Sequence, residues 1–150
     1  MVKQKKNRIL IVDDDEAVLE SIGDYLAMKG YYVDTAKTGT EAIEKSKKTF
    51  FNLAILDIRL PDMDGTELLS KIHDTEPKMI KVMLTGYPNS QNTIDSVNGG
   101  ADAYLVKPVQ LDKVLKLIEQ KLVAQDKEIK MDKDKLVSYI ESRDKEFNDK

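Results

Sequence analysis

A chain of 150 residues with 41% apolar and 34% charged side chains has the length and hydrophobic content for one ordinary domain with a real core, and some chain to spare. A net charge of -3 with both signs mixed supplies no basic block to neutralise phosphates, which argues against nucleic acid as a partner. With no cysteine, disulfides and thiolate zinc sites are excluded.

The first element is Ile9-Leu10-Ile11-Val12, a β-branched apolar run followed at once by Asp13-Asp14-Asp15. It reads as a buried strand whose tip carries acids. The preceding Lys3, Lys5, Lys6 and Arg8 read as a solvated terminus. From Glu16 to Lys29, Val18, Leu19, Ile22, Tyr25 and Leu26 recur at helical spacing, and Gly30 stands where the helix stops. Asp15 is placed to cap that helix. Tyr31 to Ala36 is a shorter strand, and Gly39-Thr40 opens a helix running to about Thr49.

Leu53-Ala54-Ile55-Leu56-Asp57 is a third strand, fully apolar until it delivers a carboxylate to its tip, and Pro61 and Gly65 punctuate the loop after it. A helix with Leu68, Leu69 and Ile72 follows. His73, the sole histidine, falls near the end of that helix and reads as a surface residue, not a phosphorelay histidine. Lys81 to Thr85 is a fourth strand, ended by Gly86-Tyr87-Pro88; a helix from about Ser90 to Asn98 stops at Gly99-Gly100. Ala103 to Val106 is a fifth strand running into Lys107-Pro108, and a helical pattern starts at Leu111 (Val114, Leu115, Ile118, Leu122). Strands alternating with helices predict βα units and a parallel sheet covered on both faces.

Past Ala124 the chain is densely charged, has neither Gly nor Pro, and keeps a sparse apolar set of Ile129, Leu136, Ile140 and Phe147. The spacing approximates a heptad seam, but Gln125, Asp132 and Arg143 interrupt it, so a solvated helix is expected rather than a coiled coil. The expected division is therefore a domain over 1–123 and a charged, helical extension over 124–150.

In a parallel sheet the carboxyl ends of the strands share one edge, where ligands bind. That edge collects Asp13 and Asp14, Asp57, Thr85 and Lys107. Clustered carboxylates need a cation, and an all-oxygen set favours Mg²⁺. Lys107 offers a point charge for a phosphate, and Thr85 a hydroxyl that turns either way. With a carboxylate as nucleophile, the set suits phosphoryl transfer onto Asp57.

At these positions the chain resembles the response-regulator receiver family of two-component signalling. Ile11-Val12-Asp13-Asp14-Asp15 matches the acidic pair, Asp57 with Pro61 and Gly65 the acceptor strand and loop, Leu84-Thr85-Gly86 the switch hydroxyl, and Lys107-Pro108 the lysine before proline. The resemblance covers about residues 7 to 123 and implies a doubly wound α/β fold of strand order 2-1-3-4-5. It further implies that Asp57 accepts a phosphoryl group from the phosphohistidine of a sensor kinase. Asp14 would bind Mg²⁺ directly, Asp13 mainly through a metal-bound water, and the main-chain carbonyl of Arg59 would complete the protein ligands. Lys107 would pair with a phosphoryl oxygen, next to a Lys107-Pro108 bond expected to be cis. Thr85 would move toward the phosphoryl group and Tyr104 would swing inward. Tyr104 also reads simply as a half-buried strand aromatic.

Arg59 and Tyr87, each two residues beyond a site position, are placed to govern water access to the acyl phosphate. A haloacid-dehalogenase-type phosphatase would need an acid where Arg59 stands, and a dinucleotide-binding domain a glycine-rich turn where Asp13-Asp14-Asp15 stands. Residues beyond 123 are too few and too mixed in charge for a DNA-binding or catalytic output domain, so the switch surface itself is the expected output. The expectations are then a stand-alone receiver acting on an unknown protein target through its fourth helix and fifth strand, a phosphorelay intermediate feeding another histidine, or a homodimer through the last helix. No apolar run reaches membrane-spanning length and no signal-peptide core is present, so the expected location is cytoplasmic and off the membrane.

Overall fold

The structure, a computed structural model, describes residues 7–72, 75 and 78–148, with side chains as far as 142. His73 and the lysines before residue 7 lie outside the described residues. Five strands, β1 (Arg8–Val12), β2 (Tyr32–Ala36), β3 (Leu53–Asp57), β4 (Ile80–Thr85) and β5 (Ala103–Val106), form one parallel sheet of order 2-1-3-4-5. Helices α1 (Glu16–Met28), α2 (Gly39–Lys48), α3 (Gly65–Lys71), α4 (Gln91–Asn98) and α5 (Leu111–Asn148) connect and follow the strands. The expected doubly wound α/β architecture and C-terminal helix are therefore present. Element ends differ from the sequence reading by a residue at β1, β2, β4 and α1 to α4, as fraying ends do.

Burial explains why these segments became these elements. β1, β3 and β4 are central and covered on both faces, so they read as largely apolar runs, broken in β4 by the buried Lys81; β5, at an edge, alternates between half-buried and exposed residues. Alternate residues feed two cores. Ile9, Ile11, Leu53, Ile55, Val82 and Leu84 meet α1 and α5 through Leu19, Ile22, Leu26, Val114, Ile118 and Leu122. Leu10, Val12, Ala54, Leu56 and Met83 meet the other helical layer through Ala42, Leu68 and Leu69.

Caps set the starts. Asp15 accepts from the Ala17 N–H at 2.9 Å, as its position predicted. At α2, Thr38 caps Glu41, while the Gly39 and Thr40 N–H groups are taken by Asp62, at 2.8 and 2.9 Å, from the loop after β3. That carboxylate, also bonded by the Thr40 hydroxyl at 2.7 Å, lies at the positive end of α2 and docks the β3–α3 loop there. Gly30 holds a φ of 101°, a conformation that ends α1 at little cost only for glycine. Gly65 is required for a different reason: a Cβ there would lie 2.9 Å from the Ile58 Cα and 2.5 Å from Met83 Cε.

α5 continues without a break past the sheet. Gln125, read from sequence as a flaw in a seam, is buried instead at the amino-terminal edge of the sheet. Its amide nitrogen donates to the Asn52 and Lys78 carbonyls, both at 3.0 Å, and its oxygen accepts from Asn52 Nδ2 at 3.1 Å. Beyond it Ile129, Leu136 and Ile140 are exposed, in keeping with a solvated extension. The side chains of Arg143 and Phe147 lie outside those described. No helix among the described residues is long and apolar enough to cross a membrane.

Candidate functional site

Parallel register carries four strand ends to one edge. Asp13 follows β1 and donates its N–H to Ala36 O (3.1 Å); Asp57 ends β3 opposite Leu84. Thr85 ends β4, and its carbonyl accepts from the Lys107 N–H at 2.7 Å, fixing the residue after β5 beside it. The Lys107-Pro108 peptide is cis.

Asp13 is wholly buried and Asp57 nearly so, whereas Asp14 is exposed. One carboxylate oxygen from each lies within 4.8 Å of the others. Lys107 is the positive charge among them, with Nζ 3.0 Å from Asp13 Oδ2 and 3.5 Å from Asp57 Oδ2. Asp13 Oδ1 accepts from the Asp15 N–H at 2.9 Å, and Asp57 Oδ1 from the Arg59 N–H at 3.3 Å. Asp13 Oδ2, although ion-paired, is buried with no hydrogen bond among the described residues.

Burial, then the charge of Asp13, pushes the Asp57 carboxyl up to about 6, against the opposing pull of Lys107 and the Arg59 N–H. Burial draws the Lys107 ammonium down, but Asp13 and Asp57 outweigh it and hold it above its ordinary value. Three clustered carboxylates with one ammonium leave an excess of negative charge. Hard oxygen donors, one of them buried and lacking a hydrogen bond, fit a Mg²⁺ ion. The loop after Asp57 adds a main-chain candidate. Ile58 O accepts from Gly65 N and Leu60 N donates to Met63 O, forming the Arg59–Asp64 bridge and leaving both main-chain groups of Arg59 outside it.

The remaining residues singled out by sequence lie at the rim or in the wall. Thr85 is buried, and its oxygen accepts from the Tyr87 N–H at 2.9 Å. Tyr104 points outward, 49% exposed, the plain strand-aromatic position and not the inward one. The Arg59 guanidinium stacks 4.8 Å above the Tyr87 ring, and the pair lines an open cleft with Gly86, Pro88, Asn89 and Ser90. One residue that sequence reading passed over is Thr93 on α4, buried 3.0 Å from the Thr85 hydroxyl. A threonine eight residues beyond a strand end carries no signal on its own.

Known proteins place this geometry. The chain is similar to a CheY-like response regulator receiver domain protein from Methanospirillum hungatei JF-1, with 50% identity and a TM-score of 0.78, over 83% of this chain and 99% of that one. It is also similar to the beryllofluoride-activated NtrC4 receiver domain dimer, at 32% identity and a TM-score of 0.72, over 79% of this chain and 98% of that one. A cyclic di-GMP phosphodiesterase of Thermotoga maritima is 35% identical over 69% of this chain, which corresponds to 28% of the relative. The chain spans from about a quarter to about a half of the curated relatives it matches. Residues 9–119 match the response regulator receiver domain, and with the sheet order and the carboxyl-edge acids in agreement, the chain belongs to the response regulator receiver family of two-component systems.

Proposed function

We propose that this receiver accepts a phosphoryl group on Asp57 from the phosphohistidine of a sensor histidine kinase and signals by altering its protein-binding surface. The observation that carries the reading is the convergence of Asp13, Asp14, Asp57 and Lys107 at one sheet edge, with Asp57 on the central strand. An Asp57 oxygen attacks phosphorus, the P–N bond breaks, and the departing imidazole takes its proton from solvent. Lys107 is within reach of the Asp57 carboxylate and balances charge on a phosphoryl oxygen. Asp13, Asp14 and Asp57, with the Arg59 carbonyl, would hold Mg²⁺, which supplies positive charge to the carboxylates and the incoming group. Catalysis is confined to the protein's own phosphorylation and dephosphorylation.

The surface that reports the event is assigned to α4 and β5. Ile94 and Val97 on α4, with Tyr104 and Val106 on β5, are each more than two-fifths exposed, an apolar set suited to a protein partner. Residues 1–123 form the receiver unit in this reading, and 124–150 an appended helical arm. A phosphorelay role shares the same site chemistry. It predicts rapid transfer from the phosphorylated protein to a separate histidine phosphotransfer domain, which the partner-binding role does not.

Intact-protein mass after incubation with acetyl phosphate tests the core of the proposal. A Mg²⁺-dependent gain of one phosphoryl group in the parent, absent in Asp57→Asn, is expected. Failure of the parent to bind either phosphoryl or beryllofluoride would remove it.

A further inference from the structure

α4 is packed against the domain by its hydroxyls. Thr93 and Ser96 are its buried residues, while its aliphatic Ile94 and Val97 face outward. Ser96 Oγ donates to Asn92 O at 2.8 Å and lies 3.3 Å from Thr66 Oγ1 of α3. Thr93 Oγ1 donates to Tyr87 O at 2.9 Å and lies 3.0 Å from Thr85 Oγ1 and 2.9 Å from Ser90 Oγ.

Proton counting fixes the directions. A threonine hydroxyl has one proton and two lone pairs. The Tyr87 carbonyl, which also takes the Ser90 N–H at 3.0 Å, only accepts, so for all three contacts of Thr93 to be hydrogen bonds at once its proton goes to that carbonyl and Thr85 and Ser90 donate to Thr93. Thr85 in turn accepts from the Tyr87 N–H, and Ser90 Oγ accepts from the Thr93 N–H at 3.2 Å. Every hydroxyl in the set is satisfied, and the proton of Thr85 is directed at α4.

We propose that Thr93 is the positioning residue for Thr85: its oxygen accepts the Thr85 proton at rest, so the hydroxyl reaches a phosphoryl oxygen only by giving up its bond to α4. This rests on the proposed phosphorylation of Asp57, toward which Thr85 would donate. Its consequence is a direct link between site and surface. The bond broken at Thr85 is one of those that hold the first turn of α4, the helix carrying Ile94 and Val97. Exchange of one hydroxyl partner for another is inexpensive, so the two arrangements lie close in free energy.

Beryllofluoride with Mg²⁺, titrated calorimetrically into the full chain, tests this. Thr93→Val removes the acceptor, leaves Thr85 free, and is expected to tighten beryllofluoride binding about fivefold, the worth of one neutral hydrogen bond. Thr93→Ser restores the hydroxyl and should bind within about twofold of the parent. In a Thr85→Ala background, where there is no proton to release, the gain from Thr93→Val should vanish; a packing effect would persist. Thr93→Ala removes the same hydroxyl without adding a methyl group and serves if the valine variant fails to fold. Binding by the parent with no gain in Thr93→Val or Thr93→Ala, or a gain undiminished in the Thr85→Ala background, overturns the role of Thr93 alone. No binding by the parent overturns the phosphorylation reading and this inference with it.

Discussion

Where α5 leaves the sheet, one side chain joins three segments that are far apart in sequence. Gln125 lies 6% exposed between Asn52, at the start of β3, and Lys78, ahead of β4; Asn52 Oδ1 also accepts from the Arg8 N–H at 2.9 Å, which brings in β1. Gln125→Ala removes three neutral hydrogen bonds, each worth about 0.5–1.5 kcal/mol net. The full total is not expected, because Asn52 O keeps the Ile80 N–H at 3.0 Å and Lys78 is exposed, so water replaces part of the loss. The predicted destabilisation is about 2 kcal/mol. Gln125→Glu should be worse than alanine at neutral pH, since it turns a carboxylate toward two carbonyl oxygens. Urea unfolding with an unchanged m-value is the assay. Asp126→Ala, one residue on, is the control: its ion pair with Lys130 is solvent-exposed and should be worth less than about 0.5 kcal/mol. An alanine variant within about 0.5 kcal/mol of the parent, or a glutamate variant no worse than alanine, would refute the assignment of the clamp.

Two further outcomes follow from the loop after β3. The Thr40 hydroxyl and N–H and the Gly39 N–H hold the Asp62 carboxyl down to about 2, below its ordinary 3.8, so its native-state stabilisation is complete above the unfolded value and is lost as pH falls through about 2. Melting temperatures of the parent and Asp62→Asn should therefore differ by a constant amount from pH 7 to about 5 and converge on further acidification; a gap unchanged at pH 2.5 would contradict this. The Arg59–Tyr87 stack stands beside the acceptor loop, and breaking it with Arg59→Ala or Tyr87→Ala should shorten the acyl-phosphate half-life about two- to tenfold, by opening the path for water. Half-lives equal to the parent's would show that the stack does not limit water access.

The sheet was legible because hydrophobic pattern and burial are the same statement for a strand. Leu53 to Leu56 is covered on both faces and has no polar residue to interrupt it. The candidate site was legible because parallel topology makes strand ends neighbours, so Asp13, Asp57, Thr85 and Lys107 needed only their places after apolar runs. Gln125 was not legible, since its partners are carbonyls 73 and 47 residues away whose meeting is decided by sheet register. Thr93 was hidden more deeply. α4 holds two pairs at helical spacing, Thr93 with Ser96 and Ile94 with Val97, and hydropathy alone would bury the aliphatic pair. The structure buries the hydroxyl pair because the end of β4 presents a hydroxyl and a loop carbonyl that a methyl group cannot satisfy.

These two polar sets divide the domain into parts that move at different cost. α5 begins just past Lys107-Pro108, buries Val114, Ile118 and Leu122 against the sheet, and is clamped at the opposite edge by Gln125. Moving it would expose several aliphatic side chains, each worth about 1.5–3 kcal/mol. α4 has no aliphatic residue buried and is tied by hydroxyl bonds that exchange partners at a fraction of that cost. The proposed phosphorylation of Asp57, acting through Thr85, is therefore expected to displace α4 before α5. On the proposed phosphorylation of Asp57, a partner that distinguishes the two states is then expected to contact the face of α4 and β5 that carries Ile94, Val97, Tyr104 and Val106.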